Sequence, residues 1–150
     1  MWDYPRPPAC LPSQRHVVVS LGDRTIADSS AAWRVLETSH PPTWYLPRHD
    51  VDPSALTRSA APSTVCEWKG AATYWDVVAH GTVLAGAAWS YEQPTSGFAA
   101  IRGYLAFSPA RLECTVDGEP VLAQEGGFYG GWITDDVAGP FKGAAGTRGW

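Results

Sequence analysis

Lysine is almost absent from this sequence: among 150 residues only Lys69 and Lys142 carry that side chain. Cysteine occurs three times, at 10, 66 and 114, and never as CxxC. An odd, scattered set argues against both a disulfide framework and a zinc ribbon. No unbroken apolar stretch approaches the roughly 18 residues of a membrane span, so no membrane partner is expected. The opening "MWDYPRPPACLPSQR" has neither an apolar run nor a small-residue cleavage site, which excludes a secretory signal there and makes a cytoplasmic location the expectation. Charge is also sparse, at 17% against 45% hydrophobic residues, with a net value of −4. That balance is globular rather than disordered. The eleven basic residues are scattered and form no stripe, so nucleic acid is not an expected partner. A small anionic ligand meeting one or two local cations remains compatible with it. GxxxxGK[ST], GxGxxG and GxSxG are all missing, as are HxxxH and HxH.

What is abundant is glycine (15), proline (13) and tryptophan (8). Many Gly and Pro mean many turns and short elements. Eight tryptophans suggest either an aromatic-lined cavity or large anchors in a small core. Residues 1–15, with four prolines, read as an extended arm. "HVVVS", "LGD" and "RTIADS" read as a hairpin. "AAWRVLETS" leans to strand by alternation, and "TWYLP" is a strand stopped by Pro47. Asp52 followed by Pro53 predicts a helix of about two turns. "ATYWDVVA" is a strand turned at His80-Gly81, and "TVLAGAAWSYEQP" holds one or two more. "SGFAAIRG" reads as a helical turn. "YLAFS" and "RLECTVDGEPVLA" add three strands, the last two a hairpin at Asp117-Gly118.

The expectation is an all-β fold: a small barrel or tent-like barrel of about eight short strands with one short helix, because no long amphipathic helix is available to cover an open sheet. The core spans 16–118. Residues 119–150 form a Gly-rich extension whose aromatics are expected to pack on the barrel. "YLPRHDV" and "CEWKGAATYW" are echoed by "WITDDV" and "PFKGAAGTRGW", which either an old duplication or chance would explain.

"ETSHPPTWYLPRHDV", "CEWKGAATYW", "AAWSYEQP" and "YLAF" occur in an order that resembles the family named domain of unknown function 427, which also carries a nucleotidyltransferase label. The resemblance covers roughly 16–117 and implies a small β-rich, barrel- or tent-like fold. Its motif residues fall on Glu37, Tyr45, Pro47, Asp50, Val51, Cys66, Lys69, Gly70, Tyr74, Trp89, Tyr91 and Pro94. Glu67 stands where the motif commonly has proline, placing a charge beside the lysine. The nucleotidyltransferase label finds no phosphate loop to support it.

Lys69 is the sharpest candidate for chemistry. Desolvated by Trp68 and by Tyr74 or Trp75, it would lose pKa and act as base or Schiff-base nucleophile. Charged, it would bind a carboxylate or phosphate. It could equally lay its stem on tryptophan with its head against Glu37, Asp50 or Glu67. Cys66 is either a thiol activated by that cation or a small buried hydrophobe. Glu37 and Asp50 are the carboxylates to place near Lys69, although Asp50 also suits a turn cap. Tyr45, Trp75, Trp89 and Tyr91 could wall a cavity or simply be core. Asp50 with Asp52, or Asp135 with Asp136, could hold magnesium but suit turns as well, and no metal set is assigned. No cofactor is named by these residues.

Three functions follow. The first is a small-molecule site in an aromatic-lined pocket, serving a binder or an enzyme that uses lysine and carboxylate acid–base chemistry. The second is a non-catalytic structural or protein-interaction module. The third, resting on the family label, is a nucleotide-handling enzyme. A homodimer is compatible with each.

Overall fold

The computed structural model describes residues 9–36, 42–59, 64–66, 70–123 and 131–134, with backbone alone at 9, 64–66, 70, 96 and 97. Among them the chain runs through β1 (Ala9–Pro12), β2 (Val17–Leu21), β3 (Arg24–Ser29), β4 (Trp33–Leu36), β5 (Thr43–Tyr45), β6 (Leu56–Arg58), β7 (Thr64–Cys66), β8 (Gly70–Ala79), β9 (Thr82–Ser90), β10 (Leu105–Phe107), β11 (Glu113–Val116), β12 (Glu119–Pro120), β13 (Leu122–Ala123) and β14 (Trp132–Ile133). Every pairing is antiparallel. The all-β expectation holds.

Local turn chemistry explains the hairpins. In β8–β9 the turn residues His80 and Gly81 have φ of 52° and 76°; in β11–β12 Asp117 and Gly118 have 50° and 81°. Two consecutive positive φ values define the turn whose twist matches paired strands, and Gly adopts the second without a Cβ penalty. Between β2 and β3 the register shifts after Val19, which leaves Ile26 unpaired opposite the step. That bulge lets the adjacent Ile26 and Ala27 both enter the core, which strict alternation forbids.

One sheet has the order β1-β4-β5, a second β10-β9-β8-β6 with β7 also on β8, a third β12-β11-β2-β3, and a fourth β13-β14. The first two are joined at a single place. Leu46 and Leu105 exchange both backbone hydrogen bonds, at 2.8 and 2.9 Å. The joined sheet is buried on both faces. Trp44, Leu46, Leu105, Phe107, Val77 and Ala87 turn toward Val17, Val19, Ile26, Cys114 and Val116 of the third sheet, and this is the main core. Their strand neighbours Tyr45 and Ala106 turn the other way, into a second cluster with Val35, Tyr91, Phe98 and Ile101. Trp132 belongs to the main core. It stacks on Trp44 with centroids 6.1 Å apart, and its Nε1 donates to the Phe107 carbonyl at 3.1 Å.

Two expectations are corrected. Among the described residues no sheet closes into a barrel. The inference to closure rested on the want of a cover, and the third sheet and the Phe98–Ile101 turn supply one on each face. The two-turn helix after Asp52 is also absent. The capping signal is real, since Asp52 Oδ1 accepts from Ser54 N at 3.0 Å. It starts only a 3-10 turn, Pro53–Ala55, after which Leu56 is extended and pairs with Val77. "SGFAAIRG" forms two 3-10 turns merged at Phe98. β14 takes up the start of the second "WITDDV" echo, and the rest of that echo lies outside the described residues.

Two outcomes follow. Phe107 is fully buried, so Phe107→Ala should cost about 3–5 kcal/mol in chemical denaturation. The Arg24 guanidinium, then the Ser54 hydroxyl and amide, hold the Asp52 carboxyl at about 2, below its ordinary 3.8. This contribution is complete above the unfolded value and is lost as pH falls from 3.8 to about 2. Asp52→Asn should therefore lower Tm at neutral pH and flatten the acid limb of Tm against pH across that window.

Candidate functional site

Beyond the Leu46–Leu105 bridge the two segments diverge, and the gap between them is an open cleft of about 570 Å³ lined by Pro47, Arg48, His49, Arg102, Gly103 and Tyr104. Each wall is fixed locally. Pro47 precedes the 3-10 turn Arg48–Asp50, which Asp50 N closes on the Pro47 carbonyl at 3.0 Å. Opposite, Gly103 takes φ +72° and donates from N to the Tyr91 carbonyl at 3.1 Å. A side chain at that φ is strained, whatever the space around it.

Glu92 organises the cations. Its carboxylate oxygens accept from Arg48 Nη2 at 3.3 and 3.2 Å, and its carbonyl accepts from Arg102 Nε at 3.1 Å. Arg48 Nε donates to the Gly103 carbonyl at 3.2 Å. The Arg48 guanidinium also lies 4.9 Å from the Trp75 ring centroid, and that of Arg58 lies 5.8 Å from the same ring. The indole thus has two cations near its ring, and its Nε1 donates to the buried Ser90 hydroxyl at 3.0 Å. Locally, positive charge outnumbers negative in a chain whose net charge is −4.

The expected aromatic set divides between two environments. Tyr45, Tyr74, Trp89 and Tyr91 do gather, in the second cluster, with the Tyr45 and Tyr91 rings 6.2 Å apart. Tyr45 and Tyr91 are buried there, and Tyr74 and Trp89 are half-buried. Trp75 packs with the main core instead. Tyr74 and Trp75 are strand neighbours, so they face opposite sides of β8. Asp50 stands behind the cleft wall: its Oδ2 accepts from the Ser29 hydroxyl of β3 at 2.6 Å, and its Oδ1 lies 3.4 Å from Nε2 of the lining residue His49. Glu37, Trp68 and Lys69 lie outside the described residues, and of Cys66 only the backbone, paired with Gly70, is described. Burial pushes the Cys114 thiol up to about 12, which leaves it protonated and unreactive at neutral pH. Among the described residues no cluster of His, Cys, Asp and Glu could hold a metal, and no helix is long and apolar enough to cross a membrane.

Sequence reading passed over Arg48, Glu92, Arg102 and Tyr104. Arg48 and Glu92 sit inside the quoted "YLPRHDV" and "AAWSYEQP", and that adjacency to motif residues was the available signal. Arg102 carried none.

An all-β domain of short antiparallel strands, with a cation-lined cleft at the joint of two sheets, is the class of protein these features define. The chain belongs to the family described as domain of unknown function (DUF427), labelled NTP_transf_9, whose profile matches residues 9–118. The family resemblance read from the sequence motifs is therefore correct. No curated protein matches the chain.

Arg48→Lys keeps the charge but loses the planar fork and most of the stacking on Trp75. It should lower stability by about 1 kcal/mol in urea denaturation, with a shift in tryptophan emission as Trp75 loses one of its covers.

Proposed function

We propose that this protein binds a small polar or anionic molecule in the cleft between Pro47–His49 and Arg102–Tyr104. What supports the reading is the convergence there of Arg48 and Arg102, two guanidiniums from distant parts of the chain, on an open space, the first at the Glu92 carboxylate and the second at the Glu92 main-chain carbonyl. Arginine forks suit carboxylate and phosphate oxygens, which they meet with paired hydrogen bonds. In this reading the aromatic residues are supports. Trp75 has cations near its ring, and Tyr45 and Tyr91 are committed to packing. Tyr104, half-buried against the second cluster, connects that packing to the cleft wall.

Trp75 sits close enough to Arg48 to report on the cleft. Tryptophan emission should respond to at least one member of a panel of phosphates and carboxylates. ATP with and without magnesium belongs in it, because the family carries a nucleotide-transfer label. Arg48→Ala and Arg102→Ala should each weaken that binding by about 10-fold or more, the cost of one charge-assisted hydrogen bond. Silence across the panel would instead favour a structural module in which the arginines merely brace two loops.

A further inference from the structure

Glu92 has a part in the cleft beyond bracing. Its carboxylate meets Arg48 at 3.3 and 3.2 Å, longer than the roughly 2.7–2.9 Å of a well-made charge-assisted bond. Both side chains remain substantially exposed, at 45% and 43%, so the pair is loose and solvent-screened. The Glu92 main chain, by contrast, is held independently through its carbonyl on Arg102. The side chain can therefore swing away by a rotamer change without releasing the loop.

We propose that Glu92 is a built-in counter-anion occupying the place of the ligand, and that the ligand is a dianionic oxyanion which displaces it. This rests on the cleft being a binding site. With Glu92 in place Arg48 is neutralised, while Arg102 faces no carboxylate partner among the described residues. Once the side chain leaves, two positive charges line the cleft. A phosphate group or a dicarboxylate matches that charge; acetate or chloride does not. The exchange replaces one oxyanion on Arg48 with another, so neither end state leaves that guanidinium without an anion. It also raises selectivity, since a monoanion gains too little to displace Glu92.

The test is calorimetric titration of the full chain with sodium phosphate, malonate and acetate at constant ionic strength. The wild type is compared with Glu92→Gln, and with Glu92→Ala as a second variant should the first fold poorly. Phosphate or malonate should bind either variant about 5- to 10-fold more tightly than wild type, from removal of the competing ion pair and of its repulsion of the ligand. Acetate should gain little. Adding Arg102→Gln should erase the increase. Phosphate gaining alone identifies a phosphorylated ligand, and malonate alone a dicarboxylate. Equal or weaker binding to both Glu92 variants would overturn the counter-anion and leave the cleft standing. No binding of either dianion to any form would overturn both.

Discussion

Two backbone hydrogen bonds between Leu46 and Leu105 hold the architecture together. Without them the sheet built on β4 and the sheet built on β9 would each have an exposed edge, and neither has enough strands to bury both its faces alone. With them, Trp44 and Leu46 align with Leu105 and Phe107 over the third sheet, while Tyr45 aligns with Ala106 over the Phe98–Ile101 turn. The alternation along two three-residue strands thereby feeds two separate cores. The same junction creates the cleft, because it is the last point at which the two segments are paired before their turns part.

Charge is distributed with the same economy. Among the described residues no Asp, Glu, His, Lys or Arg is buried, and Arg48 at the cleft is held by partial contacts: a ring face, a carbonyl, a loosely bonded carboxylate. None of these alone fixes a guanidinium strongly. Together they orient Arg48 while leaving its side chain 45% exposed. Elsewhere the arrangement is tighter. Asp117 accepts from Arg15 Nε at 2.9 Å and from His16 N at 2.8 Å, clamping a hairpin turn to the start of β2, and Arg24 bonds Asp52 at 2.6 Å. The short bonds lie where the backbone is being secured, and the long ones lie in the cleft.

Much of the fold was legible in the sequence, for a physical reason: hairpins are written locally. His80-Gly81 and Asp117-Gly118 specify their turns with two residues each, and β8 and β9 follow from apolar composition around the first. What could not be read was anything decided at a distance. Asp52 and Pro53 carry a sound helix-start signal, yet the demand of β8 for a partner at Leu56–Arg58 overrides it. The bilateral burial of the joined sheet depends on one contact between positions 46 and 105. The cleft arginines are 54 positions apart, and nothing local marks them as neighbours. Tyr74 and Trp75, alternatives beside Lys69 in the sequence, fall in different clusters because consecutive residues of a strand face opposite ways.

The cleft residues at 47–49, 92 and 102–104 all lie outside the paired strands, whereas the two cores draw mainly on residues within them. Chemistry and scaffold are thus encoded in nearly separate sets of codons. Replacing Arg102, whose partner is the Glu92 carbonyl, would therefore leave both interiors as they are, whereas replacing Arg48 would also uncover the Trp75 ring that rests on the main core.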